Sequence, residues 1–135
     1  MQTLTYSTLG ENVGVGGYDP VAYFPEGGGK PQKGFVLRSH VHDGITYRFA
    51  TDANLALFKK DPEKYLPMFG GWCAWAVAKL NKKVDCEPTS FLIIEGRLYL
   101  YYDHPELNTK ADWQANQKEL STKALENWKT LNQRT

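Results

Sequence analysis

The chain has 135 residues, and 41% of them are hydrophobic and 13% aromatic. This is enough apolar surface for one domain with its own core, so the composition excludes a disordered chain. Its 16 basic and 15 acidic residues leave a net charge of +1 and form no basic block, so nothing indicates a nucleic-acid partner or an anionic membrane surface. No apolar run reaches the roughly 18 residues of a membrane span, and the first residues lack the charged and apolar regions of a signal peptide.

We predict a single domain over residues 1–135, with an N-terminal arm (1–17), a core (18–103) and a C-terminal helical extension (104–135). The arm is glycine-rich and is expected to be irregular. At the start of the core, Asp19 precedes Pro20, a pair that favours a short helical turn capped by the aspartate.

Residues 35–42 and 45–50 are predicted to form a β-hairpin, because Asp43 and Gly44 between them form a strong two-residue turn signal. A two-residue turn places His42 opposite Ile45 and His40 opposite Tyr47. His40 then shares an apolar face and is expected to be partly buried, whereas His42, beside the turn, is expected to be solvated.

Three short helices are predicted next. Thr51 or Asp52 caps the first, Asp61 and Pro62 open the second, and a third begins near Gly71 and runs to about residue 80. Cys73 would lie in the first turn of this third helix, where backbone N–H groups and the helix dipole favour a thiolate and lower a cysteine pKa. The alternative is that Cys73 is a small buried apolar residue.

Residues 91–94 and 98–102 are predicted to form a second hairpin, and their nearly continuous apolarity indicates central strands. The rest of the chain is predicted to form an amphipathic helix, which buries a stripe comprising Trp113, Leu120, Ala124, Trp128 and Leu131. The expected fold is α+β: a small, mainly antiparallel sheet from two hairpins, short helices packed on it, and a C-terminal amphipathic helix.

Cys73 and Cys86 are the only two cysteines in the sequence, 13 positions apart. Their spacing permits a disulfide, a pair of metal ligands or two free thiols, and does not choose between them. A disulfide requires Cα atoms within about 7 Å, which the sequence does not define.

Several of these segments together resemble the YHS domain, and in particular a larger, stand-alone bacterial form of it. The resemblance covers roughly residues 17–103. The residues that carry it are Gly17-Tyr18-Asp19-Pro20-Val21-Ala22-Tyr23-Phe24, Gly44 to Phe49, Phe58, Asp61-Pro62-Glu63-Lys64-Tyr65-Leu66, Gly70-Gly71-Trp72-Cys73-Ala74 and Leu98-Tyr99-Leu100.

This resemblance implies metal chemistry, because smaller YHS and related TRASH-type domains occur in metal-handling proteins and use cysteines as ligands. The chain departs from the pattern at each expected cysteine, where it has Ala22, Ala50 and Asn54. An alanine cannot bind a soft metal, so the usual thiolate site is missing. The resemblance also implies an exported, periplasmic protein.

We therefore expect a copper- or zinc-binding protein, in metal handling or sensing, with His40, Cys73 and His42 as ligands and with Asp19 or Cys86 as further candidates. This ligand count suits a two- or three-coordinate Cu(I) site or an open zinc site.

Two alternatives remain open. In the first, Cys73 is a reactive redox thiol with Cys86 as its resolving partner. In the second, the chain is a non-catalytic module that binds a small ligand or a protein partner. Its pocket-lining candidates are Tyr18, Asp19, Tyr23, Tyr65, Trp72 and Trp75. No hydrolase motif is present, and we expect a protein that is not an enzyme.

Overall fold

A computed structural model of the chain describes residues 8–9, 13–104 and 107–131, and the α+β class is confirmed. The strands are β1 (Thr8–Leu9), β2 (Val13–Gly14), β3 (Phe35–His42), β4 (Ile45–Phe49), β5 (Glu87–Ile94), β6 (Arg97–Tyr101), β7 (Asp103–His104) and β8 (Leu107–Asn108). The α-helices are α1 (Asp52–Lys60), α2 (Pro62–Tyr65), α3 (Ala74–Lys79), α4 (Thr109–Ala115) and α5 (Gln117–Leu131).

The first sheet has the strand order β1-β2-β4-β3, in which only the β2–β4 pair is parallel. The expectation of an irregular N-terminal arm is therefore wrong for residues 13–14, which join this sheet, and Val13 and Val15 are buried in the core. A two-residue strand that itself contains a glycine has no hydrophobic periodicity from which it could be recognised. Residues 1–7 and 10–12 of the predicted arm lie outside the described residues.

The first hairpin has the predicted register. His42 pairs with Ile45 and His40 with Tyr47, and both turn residues, Asp43 and Gly44, have positive φ, as a tight hairpin turn requires. Three residues, 36–38, are inserted in β3 between the pairs Phe35–Phe49 and Ser39–Arg48, so this part of the strand bulges away from the sheet.

The buried side chains form two core clusters. Cluster one contains Phe69, residues 73–78, Tyr99, Tyr101, Trp113, Leu120, Ala124 and Leu131. Cluster two contains Val15, Val21, Tyr23, Phe24, Ile45, Tyr47, Phe49, Phe58, Tyr65, Leu66, Leu98 and Leu100.

The second hairpin, β5–β6, lies between the two clusters. Tyr99 and Tyr101 face cluster one, whereas the alternate residues Leu98 and Leu100 face cluster two. The hairpin is a two-stranded sheet, so the prediction of central strands is wrong. Its apolarity is continuous because both of its faces are covered by core side chains.

The predicted helix starts are confirmed for α1 and α2. Thr51 caps α1 by accepting a hydrogen bond from the Asn54 N–H, and Asp61 and Pro62 precede and open α2. Helix α3 is shorter than predicted. It begins at Ala74 and ends at Lys79, and Leu80, which follows it, is exposed.

The C-terminal extension is helical, and most of its predicted stripe is buried. It consists of two helices rather than one, with a break at Asn116. The Asn116 side-chain amide donates to the Asp112 carbonyl and carboxylate, and this local bonding competes with continuation of the helix.

Candidate functional site

The carboxylate of Asp19 lies at the centre of a buried hydrogen-bond network. Because Pro20 follows it, the chain turns tightly, and Oδ1 of Asp19 accepts hydrogen bonds from the N–H groups of Val21 (2.8 Å) and Ala22 (3.2 Å). Asp19 is fully buried. The predicted cap is confirmed, and the aspartate also reaches beyond its own turn.

The second oxygen of Asp19 joins this turn to two distant segments. Oδ2 accepts from the Ala50 N–H at 2.8 Å, just after β4, and from the Asn54 side-chain amide, also at 2.8 Å. The Asn54 amide donates further to the Gly27 carbonyl at 3.2 Å. Four donors therefore satisfy one buried carboxylate, which is the condition under which such a group can be buried without a large penalty.

The three positions at which the YHS resemblance expects cysteines are brought together here. Ala22, Ala50 and Asn54 each donate a hydrogen bond to the same Asp19 carboxylate. Their side chains do not fit a soft metal ion, because two are methyl groups and the third is an amide whose nitrogen already donates to Asp19. We therefore place no metal at this position.

Cys73 lies at the N-cap of α3 and is fully buried in cluster one. Its N–H donates to the Val84 carbonyl at 2.8 Å, and its Sγ accepts from the Tyr102 N–H at 3.1 Å. Burial raises the pKa of the Cys73 thiol, so the expected lowering of this pKa is wrong. The backbone N–H groups at the start of the six-residue helix act in the opposite direction, but loss of solvation outweighs them.

Cys86 is partly buried and packs against cluster two. Burial raises the pKa of its thiol to about 12, and the Cys73 charge adds to this shift. Both cysteines are free thiols in the structure. Because a raised pKa leaves little thiolate at neutral pH, neither cysteine has the electrostatic environment of an activated nucleophile.

His40 and His42 lie on the same face of β3, and both rings contact Phe58, with ring centroids 6.1 and 6.0 Å from that of Phe58. His42 Nε2 lies 3.0 Å from Oε2 of Glu63, so His42 is half-buried and paired rather than solvated as expected.

The structure does not bring the three predicted metal ligands together. Phe58, which both histidines contact, belongs to cluster two, whereas Cys73 belongs to cluster one. Within the described ranges, no group of three or more His, Cys, Asp or Glu side chains is placed to hold a metal ion.

The predicted pocket-lining tyrosines and tryptophans are distributed over the two core clusters. Tyr23 donates to the Pro88 carbonyl, Tyr65 donates to the Glu26 carboxylate, and Trp75 donates to the Asp112 carboxylate at 2.6 Å. Tyr23 and Tyr65 belong to cluster two, with Tyr18 packed against it, and Trp75 belongs to cluster one, with Trp72 packed against it.

An open groove of about 520 Å³ lies elsewhere, between the bulged part of β3 and α1, and sequence analysis missed it. It is lined by Phe35, Val36, Leu37, Arg38, Asp52 and Leu55. Leu37 is 99% exposed, and Phe35 and Val36 are more than half exposed. The run of three apolar residues is visible in the sequence, but it fits the regular strand predicted over residues 35–42 and gives no local sign of the bulge.

Comparison of the chain with protein-family models, with curated proteins and with solved structures gives no match. In the described part of the chain, no helix is long and apolar enough to cross a membrane.

Proposed function

We propose that this protein is a YHS-type domain that lacks the soft-metal site of its relatives and acts as a non-catalytic binding module. The observation that carries the proposal is the convergence of Ala22, Ala50 and Asn54 on the Asp19 carboxylate. In this interpretation, a buried Asp–Asn hydrogen-bond network holds together the three segments that a metal ion would otherwise join.

The groove beside β3 is the proposed binding surface, and a small apolar molecule is its proposed ligand. Its volume of about 520 Å³ is in the range of small-molecule sites, and its lining is mostly apolar, with one ion pair, Arg38 to Asp52 at 2.8 Å, at its edge. An exposed apolar cluster of this kind is uncommon on a protein surface unless it binds something.

Restoring the three cysteines tests whether these positions form the frame of a metal site. The variant Ala22→Cys, Ala50→Cys, Asn54→Cys should bind one Zn²⁺ or Cu(I) per chain at least about 100-fold more tightly than the reduced wild-type protein. The matched control places three cysteines at the exposed alanines Ala53, Ala56 and Ala111 and should not show this gain.

Equally tight stoichiometric binding by the wild-type protein would contradict the proposal. So would a triple variant that has the wild-type circular dichroism spectrum, and is therefore folded, but does not bind either metal.

A weaker metal site at the two histidines is a second candidate function. It is favoured by the placement of His40 and His42 on one face of β3 and by the carboxylate of Glu63 beside His42. Imidazole nitrogens suit zinc and Cu(II). A titration of the wild-type protein should then give binding that is removed by His42→Ala but retained by Cys73→Ser, and loss of binding in Cys73→Ser would exclude this arrangement.

A further inference from the structure

The two cysteines lie at the junction between the two core clusters. Cys73 is part of cluster one, at the N-terminus of α3, and Cys86 packs against cluster two, immediately before β5. The connection between α3 and β5, residues 80–86, has no regular secondary structure. It can therefore change its path without breaking a helix or a strand.

A backbone hydrogen bond aligns this connection with Cys73. The Cys73 N–H donates to the Val84 carbonyl at 2.8 Å, so the chain passes Cys73 two residues before it reaches Cys86. The Cys73 charge also contributes to the raised pKa of Cys86, in keeping with this placement.

We propose that Cys73 and Cys86 are an oxidisable pair that closes an intramolecular disulfide and ties the two core clusters together covalently. With a low-molecular-weight disulfide such as oxidised glutathione as the oxidant, one cysteine thiolate attacks the disulfide and releases one glutathione thiolate. The second cysteine then displaces the other glutathione. Two thiols lose two protons and two electrons, one S–S bond forms, and one glutathione disulfide becomes two glutathione thiols.

The experiment compares disulfide formation in the folded and unfolded chain. The full-length protein is equilibrated anaerobically with graded ratios of reduced and oxidised glutathione at pH 8.5, with and without a denaturing concentration of urea. This pH speeds an exchange that the raised thiol pKa values slow. After an acid quench, free thiols are alkylated in denaturant, and mass spectrometry measures the fraction of the chain with the intramolecular bond.

If the fold brings the two sulfur atoms together, the equilibrium constant for disulfide formation should be at least about tenfold larger in the folded chain than in urea. By linkage, the oxidised protein should then be the more stable one, with a thermal midpoint raised by about 5 °C or more. The single variants Cys73→Ala and Cys86→Ala measure the background of mixed glutathione disulfides.

An equilibrium constant that is equal or smaller in the folded chain would overturn the proposal, as would disulfides formed only between chains. This result is independent of the proposed function, whose metal titrations are made on the fully reduced protein.

Discussion

The side-chain amide of Asn54 donates a 2.8 Å hydrogen bond to the buried carboxylate of Asp19, although the two residues are 35 positions apart. This bond connects the first turn of the core with α1, and the same carboxylate holds the end of β4 through Ala50. Since all of these groups are buried or partly buried, the loss of one of them leaves the others without a partner, and a buried polar group without a partner is costly.

Asp19→Ala should therefore lower the free energy of unfolding by about 3 kcal/mol or more, because up to four N–H donors lose their acceptor. Asn54→Ala should cost less, and the double variant should show a coupling energy of about 1–3 kcal/mol. Urea unfolding of the two single variants and the double variant measures these values.

The control for this cycle is Asp52→Ala, which removes a carboxylate that is 90% exposed and is paired with Arg38. Its cost should be about 1 kcal/mol or less, because exposed ion pairs contribute little. Equal effects of Asp19→Ala and Asp52→Ala would show that the buried network does not stabilise the fold.

Phe58 is the aromatic residue on which both histidines of β3 pack. Its ring is fully buried and also contacts Tyr47 and Phe49, at 5.2 and 5.1 Å between centroids. Phe58→Ala should lower the free energy of unfolding by about 3–5 kcal/mol, since it leaves a cavity between α1 and the sheet. Phe35→Ala, at an exposed position, is the matched control, and an equally large loss there would refute the assignment of Phe58 to the core.

Much of the fold could be predicted because its signals are local. The Asp43-Gly44 turn and the Thr51 and Asp61 helix starts each depend on a few neighbouring residues, and the structure has them where expected. The N-terminal strand and the position of β5–β6 between two clusters depend on distant contacts, which no local pattern encodes.

The candidate site was harder to predict because it also depends on contacts between residues that are distant in the sequence. The pKa of Cys73 depends on burial as well as on its place at a helix start, and burial depends on the tertiary packing around α3. The role of Asp19 as a helical cap was predictable from Pro20, but its bond to Asn54 was not, because the residues meet only in the folded chain.

The groove beside β3 should bind a small apolar probe. A hydrophobic dye such as anilinonaphthalene sulfonate should gain fluorescence with the wild-type protein, and Leu37→Asp should reduce that gain several-fold without changing the urea midpoint, because Leu37 is 99% exposed. Leu125→Asp, at an exposed leucine of α5, is the matched control and should leave the signal unchanged. Equal dye binding by the wild-type protein and Leu37→Asp would exclude this groove as the binding surface.

Stability should fall as the pH rises into the alkaline range. Burial raises the pKa of Cys86 to about 12 and also raises those of Cys73, Tyr23 and Tyr101. In the unfolded chain a thiol releases its proton near pH 8.5 and a tyrosine near pH 10. Above these pH values the unfolded chain has released protons that the folded chain still holds, which favours the unfolded state. The contribution of these groups to the free energy of unfolding is therefore complete below about pH 8.5 and is lost progressively as the pH rises towards the folded-state pKa values.

Urea unfolding in the presence of a reductant, from pH 7.5 to 10.5, should show this decrease, with a slope of up to about 1.4 kcal/mol per pH unit for each group that titrates. Cys86→Ala should make the decrease in the free energy of unfolding with pH shallower between pH 9 and 10, where the thiols account for most of it. Above pH 10 much of the decrease should remain, because the tyrosines cause it there. A free energy of unfolding that stays constant to pH 10.5 would show that these thiols and phenols remain accessible to water in the folded protein. In that case the two-cluster core around β5–β6 would be more open than its packing indicates, since only exclusion of water raises the pKa values of all four groups together.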